Sequence, residues 1–258
     1  MFPQKSYFIP GKPALLLPTK EYGTTLVLAD LHIGYVYGRN RRGIKIPYEK
    51  RPEEDIVKIT KEFQPNHIII VGDFKDEIYG AAKALVKRIE GFLQKIPQET
   101  SLTIIKGNHD GLIEQFLPNY INIEPPTGLL LELLETQETV GLWHGHAFPN
   151  PLVQNADITL SGHGHPAYTF RETTGATQTI KVWIKSKWQF SKSNKKPRNH
   201  IFMPAFNKYI NGYPINEAYF ESIINFKEAL EFDKSKVFTL DGVLLGTLKE
   251  LQEIKTID

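Results

Sequence analysis

The 258-residue chain reads as an α/β protein of the α+β kind: a four-layer sandwich, two mixed β-sheets face to face with helices outside. Three observations predict it. Through the first 120 residues, apolar runs of strand length alternate with helical patterns. Such alternation implies parallel strands joined by right-handed crossovers. After residue 120, short strands follow one another without long helices, and no linker or internal repeat divides the chain. One domain over residues 1–258 is therefore expected.

The elements follow in order. Thr25–Ala29, His67–Val71 and Leu102–Lys106 are apolar and rich in β-branched residues, as buried strands are. Between the first two, Ile56, Ile59 and Phe63 recur at helical spacing within Tyr48–Phe63, and Pro52 suits a first helical turn. Leu85, Ile89, Leu93 and Ile96 form one stripe within Tyr79–Ile96. Later strands are expected at Val140–Trp143, Asp157–Leu160, Tyr168–Arg171, Gln178–Ile184 and Ile201–Pro204. A late helix is expected over Glu217–Leu230. Val237–Leu240 and Val243–Leu248 flank Asp241-Gly242, the signature of a hairpin with a type I′ turn. Lys185–His200 carries many bases and no acid, and reads as an exposed excursion.

Composition removes several classes of function. There is no cysteine, so a thiol nucleophile, an iron–sulfur cluster and a thiolate metal site are excluded. No run approaches the ~20 apolar residues of a membrane helix. The N-terminus lacks the apolar core of a signal peptide. A cytoplasmic protein without a membrane partner is expected. A net charge of +2 is too small to indicate nucleic acid by itself.

The chemistry concentrates in five short clusters, each after an expected strand. They are Asp30-Leu31-His32, Gly72-Asp73-Phe74-Lys75-Asp76, Gly107-Asn108-His109-Asp110, His144-Gly145-His146 and Gly162-His163-Gly164-His165. Singly, each has a bland explanation as a turn, a cap or a surface His. Jointly, five clusters at strand carboxyl ends would bring Asp, Asn and His to one rim, where open sheets place ligands. Groups so polar need partners if buried, and divalent cations would supply them. His67, opening an apolar strand, reads as structural, and His200 as exposed.

This ordered set resembles the calcineurin-like metallophosphoesterases over residues 24–166. Ala29–Tyr35, Gly162–Pro166, Pro204-Ala205-Phe206-Asn207, Gly212 and Ile215-Asn216 further resemble the ICC-like phosphoesterases, a mainly archaeal group that includes bacterial members associated with DNA ligase. The resemblance implies two divalent cations, Mn first, with Fe, Zn or Ni as alternatives. Sulfur-free N/O donors suit these better than Mg or Ca. Asp73 would bridge them; Asp30, His32 and His165 would complete one site, and Asn108, His144 and His163 the other. His109 would protonate the leaving oxygen, with Asp76 orienting it and favouring the imidazolium. Asp110, where the family more often has Glu, takes a structural role. His146 reads as substrate-facing or supporting rather than ligating, and the Asn108 amide could also donate to phosphate.

The activity implied is hydrolysis of a phosphodiester by a hydroxide bridging the cations, with DNA, RNA or a nucleotide as substrate. A small-molecule phosphomonoesterase on the same site is the alternative. An inactive scaffold fits less well, because every ligand position holds a competent donor. Arg39, Arg41 and Arg42, just after the first cluster, are expected to meet substrate phosphates. Lys185–Arg198, with Trp188 and Phe190 among its bases, offers stacking for single strands as the nucleic-acid reading, or a solvated hairpin with Trp188 folded in. Oligomeric state is not readable from the sequence.

Overall fold

The computed structural model describes residues 7–41, 43–46, 51–78, 81–189, 197–216 and 226–254. Its first sheet runs β1 (Tyr7–Phe8), β2 (Ala14–Thr19), β3 (Gly23–Leu28), β4 (His67–Val71), β5 (Ser101–Ile105) and β6 (Asn122–Glu124), in that spatial order. β1 to β3 pair antiparallel; β3 to β6 pair parallel. α1 (Tyr35–Arg41), α2 (Pro52–Phe63) and α3 (Lys83–Leu93) lie in the crossovers from β3 to β4 and from β4 to β5. Both long helices are shorter than expected; Tyr48–Lys50, Tyr79 and Gly80 fall outside the described residues.

The second sheet takes β7 (Leu129–Glu132), β8 (Thr139–Trp143), β9 (Ile158–Ser161), β10 (Pro166–Arg171), β11 (Thr177–Trp188), β12 (Arg198–Phe202) and β13 (Tyr213–Pro214). Their order is β13-β10-β11-β12-β9-β8-β7. A hairpin of β14 (Lys236–Thr239) and β15 (Leu244–Thr247) joins through β14 and β11. α4 (Pro151–Gln154) and α5 (Leu248–Glu253) contribute to the outer layer.

Strand alternation sorts the core. Val27, Ala29, Ile69 and Val71 of the first sheet meet Val140, Leu142, Leu160, Trp183 and Ile201 of the second. Leu26, Leu28, Ile68 and Ile70 face the other way, onto Ile56, Ile59, Leu85 and Ile89 of α2 and α3. Trp143, Val182, Ile184, Trp188 and Phe202 form the outer core of the second sheet with Phe226, Leu248 and Leu251. Side chains of period two on each strand thus build both mixed sheets into the expected layers.

Four expectations need correction. Lys185–Trp188 and Arg198–His200 are not an excursion; they extend β11 and β12, pairing Lys185 to Trp188 with Ile201 to Arg198. Residues 190–196 lie outside the described residues. Trp188 is 2% exposed and stacks on Trp143 at 5.2 Å between centroids, so it offers bases no platform. His200 is buried, held by Thr159 Oγ1 at 2.9 Å and Ser161 Oγ at 3.2 Å. The hairpin turn is not type I′. That turn needs positive φ at both central residues, and of Asp241 and Gly242 only Gly242 has it, at 80°. Of the expected late helix, Glu217–Asn225 lie outside the described residues, and Lys227–Ala229 form a single 3₁₀ turn.

Candidate metal centre

The carboxyl ends of β3, β4, β5, β8 and β9 deliver the five clusters to one rim. Backbone hydrogen bonds zip the first two together: Asp30 N–H to Gly72 O (3.1 Å), His32 N–H to Asp73 O (2.8 Å) and Ile33 N–H to Phe74 O (2.9 Å). The buried Asp110 carboxylate ties the third to them, accepting from Gly107 N–H at 2.8 Å and from Phe74 and Lys75 N–H at 3.2 Å. Its expected structural role matches this geometry. Gly72 and Gly107 permit the crowding. A Cβ on Gly72 would collide with the His144 ring, and one on Gly107 with Asp73.

Asp30, His32, Asp73 and His165 converge, each offering one donor atom within 4.8 Å of the others. His165 Nε2 lies 3.1 Å from Asp30 Oδ1, and His32 Nε2 lies 3.3 Å from Asp73 Oδ2. Both His32 nitrogens and His165 Nε2 are buried without a hydrogen bond. Such atoms are costly unless something binds them, so this donor set fits a divalent cation.

Beside it, His144 Nε2 sits 3.4 Å from Asp73 Oδ2 and 3.1 Å from Asn108 Oδ1. His144 Nδ1 meets Val71 O at 3.1 Å, a contact that as a donated bond would leave the Nε2 lone pair free for a cation. The His163 ring is 5.0 Å from that of His144, and its backbone N–H donates to Asp30 at 3.2 Å. Asp73 therefore stands between two donor groups. His146 is half-buried, 5.2 Å from the His144 ring and 6.0 Å from that of His163.

Backbone conformation marks the same residues. Asp30, His32, Asp73, His163 and His165 all have positive φ, between 41° and 64°. Only Gln64, Leu112 and Gln137 share this among described non-glycine residues. Each such residue costs on the order of 1–3 kcal/mol and persists where its surroundings enforce it.

Electrostatics separates the imidazoles. Burial disfavours charge on His144, but Asp73 and Asp30 outweigh it and raise its pKa to about 9. Burial and then the His144 charge lower His146 and His163 to about 4. For Asp73, burial opposes ionisation, yet His144 and His32 hold the carboxyl well below its usual range.

The acid and substrate residues lie beside the metal donors. The Asp76 carboxylate lies 3.4 Å from His32 Nδ1, and Asp76, His32 and His109 each offer a donor atom within 4.8 Å of the others. It is the Asp76 backbone carbonyl that meets His109 Nδ1, at 2.6 Å. His109 N–H also donates to Asp73 Oδ1 at 2.9 Å. Sequence reasoning missed Lys75, whose buried ammonium donates to His109 O at 2.5 Å and so fixes the backbone of that His. Its only signal was its place inside Gly-Asp-Phe-Lys-Asp. Arg39 lies on α1, its guanidinium 4.8 Å over the Tyr35 ring. Arg41 ends α1, and Arg42 is outside the described residues. α1 touches the rim through Gly38, where a Cβ would stand 3.0 Å from Asp76 Oδ2.

N and O donors thus stand at strand ends along one rim, on two mixed sheets. The calcineurin-like phosphoesterase family matches residues 23–227, and the chain belongs to that family. Among solved structures it resembles nuclease MPE of Pseudomonas putida, with 18% identity over 92% of this chain and 96% of that one, TM-score 0.55. The phosphoesterase YfcE of E. coli aligns at 17% identity over 86% and 96%, TM-score 0.40. The first likeness shows the shared fold. No curated protein sequence matches the chain. No helix among the described residues is long and apolar enough to cross a membrane.

Proposed function

We propose that this calcineurin-like phosphoesterase is a phosphodiesterase using two divalent cations, Mn first among them, on nucleic acid or nucleotides. One observation carries the reading: four acidic and imidazole donors converge within 4.8 Å while three of their nitrogens have no hydrogen bond. In this reading Asp30, His32, Asp73 and His165 hold one cation, and Asp73, Asn108, His144 and His163 the other. Bound there, the cations would supply Lewis acidity toward water and the phosphate oxygens. His109 protonates the departing oxygen, a contribution of ~10²–10⁴-fold. Its backbone is fixed by Lys75, and its Nδ1 contact with Asp76 O leaves Nε2 for the substrate. With its carbonyl oxygen on the His144 side, the Asn108 amide NH₂ would be left to donate to a phosphate oxygen.

Arg39 supports a diester substrate: it follows Gly38, where α1 approaches Asp76, and could meet a neighbouring phosphate. The likeness to a nuclease supports the same choice. The test is turnover by metal-stripped protein reloaded with Mn, Ni, Zn or Mg. The panel holds a phosphomonoester, a simple diester, cyclic nucleotides and single- and double-stranded DNA. Metal-dependent diester cleavage is expected. Preference for the monoester would make the protein a phosphomonoesterase, and no turnover with any metal would make it a scaffold.

A further inference from the structure

The Pro204-Ala205-Phe206-Asn207 segment has no part in the reading above. In the structure it leaves β12 and crosses to the turn after β3. Phe206 N–H donates to Ala29 O at 2.8 Å, and Asn207 N–H to Asp30 O at 3.3 Å. The Asn207 side chain is buried, 1% exposed. Its Nδ2 donates to Leu31 O at 2.8 Å and reaches His32 O at 3.4 Å, while Oδ1 accepts from Tyr209 N–H at 2.9 Å. From behind, Lys181 of β11 donates to Ala205 O and Asn207 O, each at 2.5 Å.

The turn it holds is an unusual one. Asp30 has φ 57° and His32 φ 42°, a conformation that side-chain-bearing residues seldom adopt. Buried carbonyls in such a turn need donors, because water does not reach them. Asn207 supplies them from the opposite sheet, 175 and 176 residues away in sequence. Without it, the turn can relax toward ordinary backbone and carry the Asp30 carboxylate and His32 ring away from Asp73 and His165.

We infer that Asn207, braced by Lys181, is a positioning residue that holds the Asp30–His32 turn in the geometry needed to bind a cation. The inference rests on the metal reading of the rim. Substitution of an outer-shell partner typically costs ~10–100-fold in metal affinity, and that magnitude is expected here at one of the two cations only.

Asn207→Asp tests it. It keeps the size and the acceptor for Tyr209, but turns an oxygen toward two carbonyls. Metal-stripped parent, N207D and Lys181→Met are titrated with Mn²⁺ by calorimetry, with far-UV circular dichroism and ion-free melting as the check on folding. In N207D one Mn²⁺ step should weaken ~10–100-fold and the other stay within about twofold. Activity should return as Mn²⁺ is raised. K181M should weaken the same step by less, and it decides alone if N207D does not fold. Two steps of parental affinity in the folded variant, or equal weakening of both, would overturn the inference. A parent that binds no Mn²⁺ would overturn the metal reading itself, and this inference with it.

Discussion

His144, just past β8, and His200, in β12, are both fully buried, yet they are opposite kinds of histidine. His144 faces Asp73 and Asp30, and against its burial they raise it to about 9. His200 faces two hydroxyls and the rings of Trp143 and Phe202, and burial lowers it to about 3. Hydroxyls satisfy an imidazole without charging it. Carboxylates make it attract positive charge, and a divalent cation can take the place of the proton. Burial alone therefore does not mark a ligand. Carboxylate neighbours separate the two, and at His32 and His165 buried nitrogens without hydrogen bonds and left-handed backbone accompany them.

Breaking the rim should have the largest effect. Asp73→Asn removes the charge that both donor groups share, and we expect essentially complete loss of phosphoester hydrolysis with the fold retained, measured as turnover beside far-UV circular dichroism. Next comes the acid. His109→Ala should keep the metals and slow hydrolysis by roughly 10²–10⁴-fold for poor leaving groups, and by less for nitrophenyl esters, which need little protonation. An equal loss for both leaving groups would remove His109 from that role.

The aromatic end of the sheet should respond in stability instead. Trp188→Ala empties a core site and should cost ~3–5 kcal/mol in urea unfolding. Turnover of a small diester by the folded fraction should fall far less than stability, because the Trp188 ring packs in the outer core with Trp143, His200 and Phe226. The smallest effect sharpens the comparison itself. The unfolded chain protonates a His near pH 6.5, whereas folded His200 takes a proton only near 3. Stability is therefore lost as pH falls through that interval, at roughly 1.4 kcal/mol per unit from this group. His200→Gln should flatten the acid limb by that amount in denaturant melts at pH 4.5 and 6.5.

The short, half-exposed β6 was not legible, whereas β3, β4 and β5 were, because they are largely buried and read as unbroken apolar runs. Each ends in Gly, Asp, Asn or His, so the rim could be read from strand ends alone. β2 was missed because Pro13 and Pro18 flank and interrupt its leucines, and proline argues against a strand inside a sheet. At Lys185–His200, local composition misled. Bases dominate the segment, but the partners that bury Trp188 and His200 are Trp143 and Phe226, remote in sequence. Spacing put Asp76 near His109 but could not show that His32 shares its carboxylate. Asn207 was visible as part of a motif, but its task depends on a contact across 176 residues.

The central claim is that Asp73 is shared by two cations at this rim. Metal-stripped parent and Asp73→Asn should be titrated with Mn²⁺ and the bound ions counted per chain by elemental analysis after desalting. The account predicts two ions in the parent and at most one in the variant, with matching circular dichroism. Two ions retained by Asp73→Asn, or none bound by the parent, would contradict it.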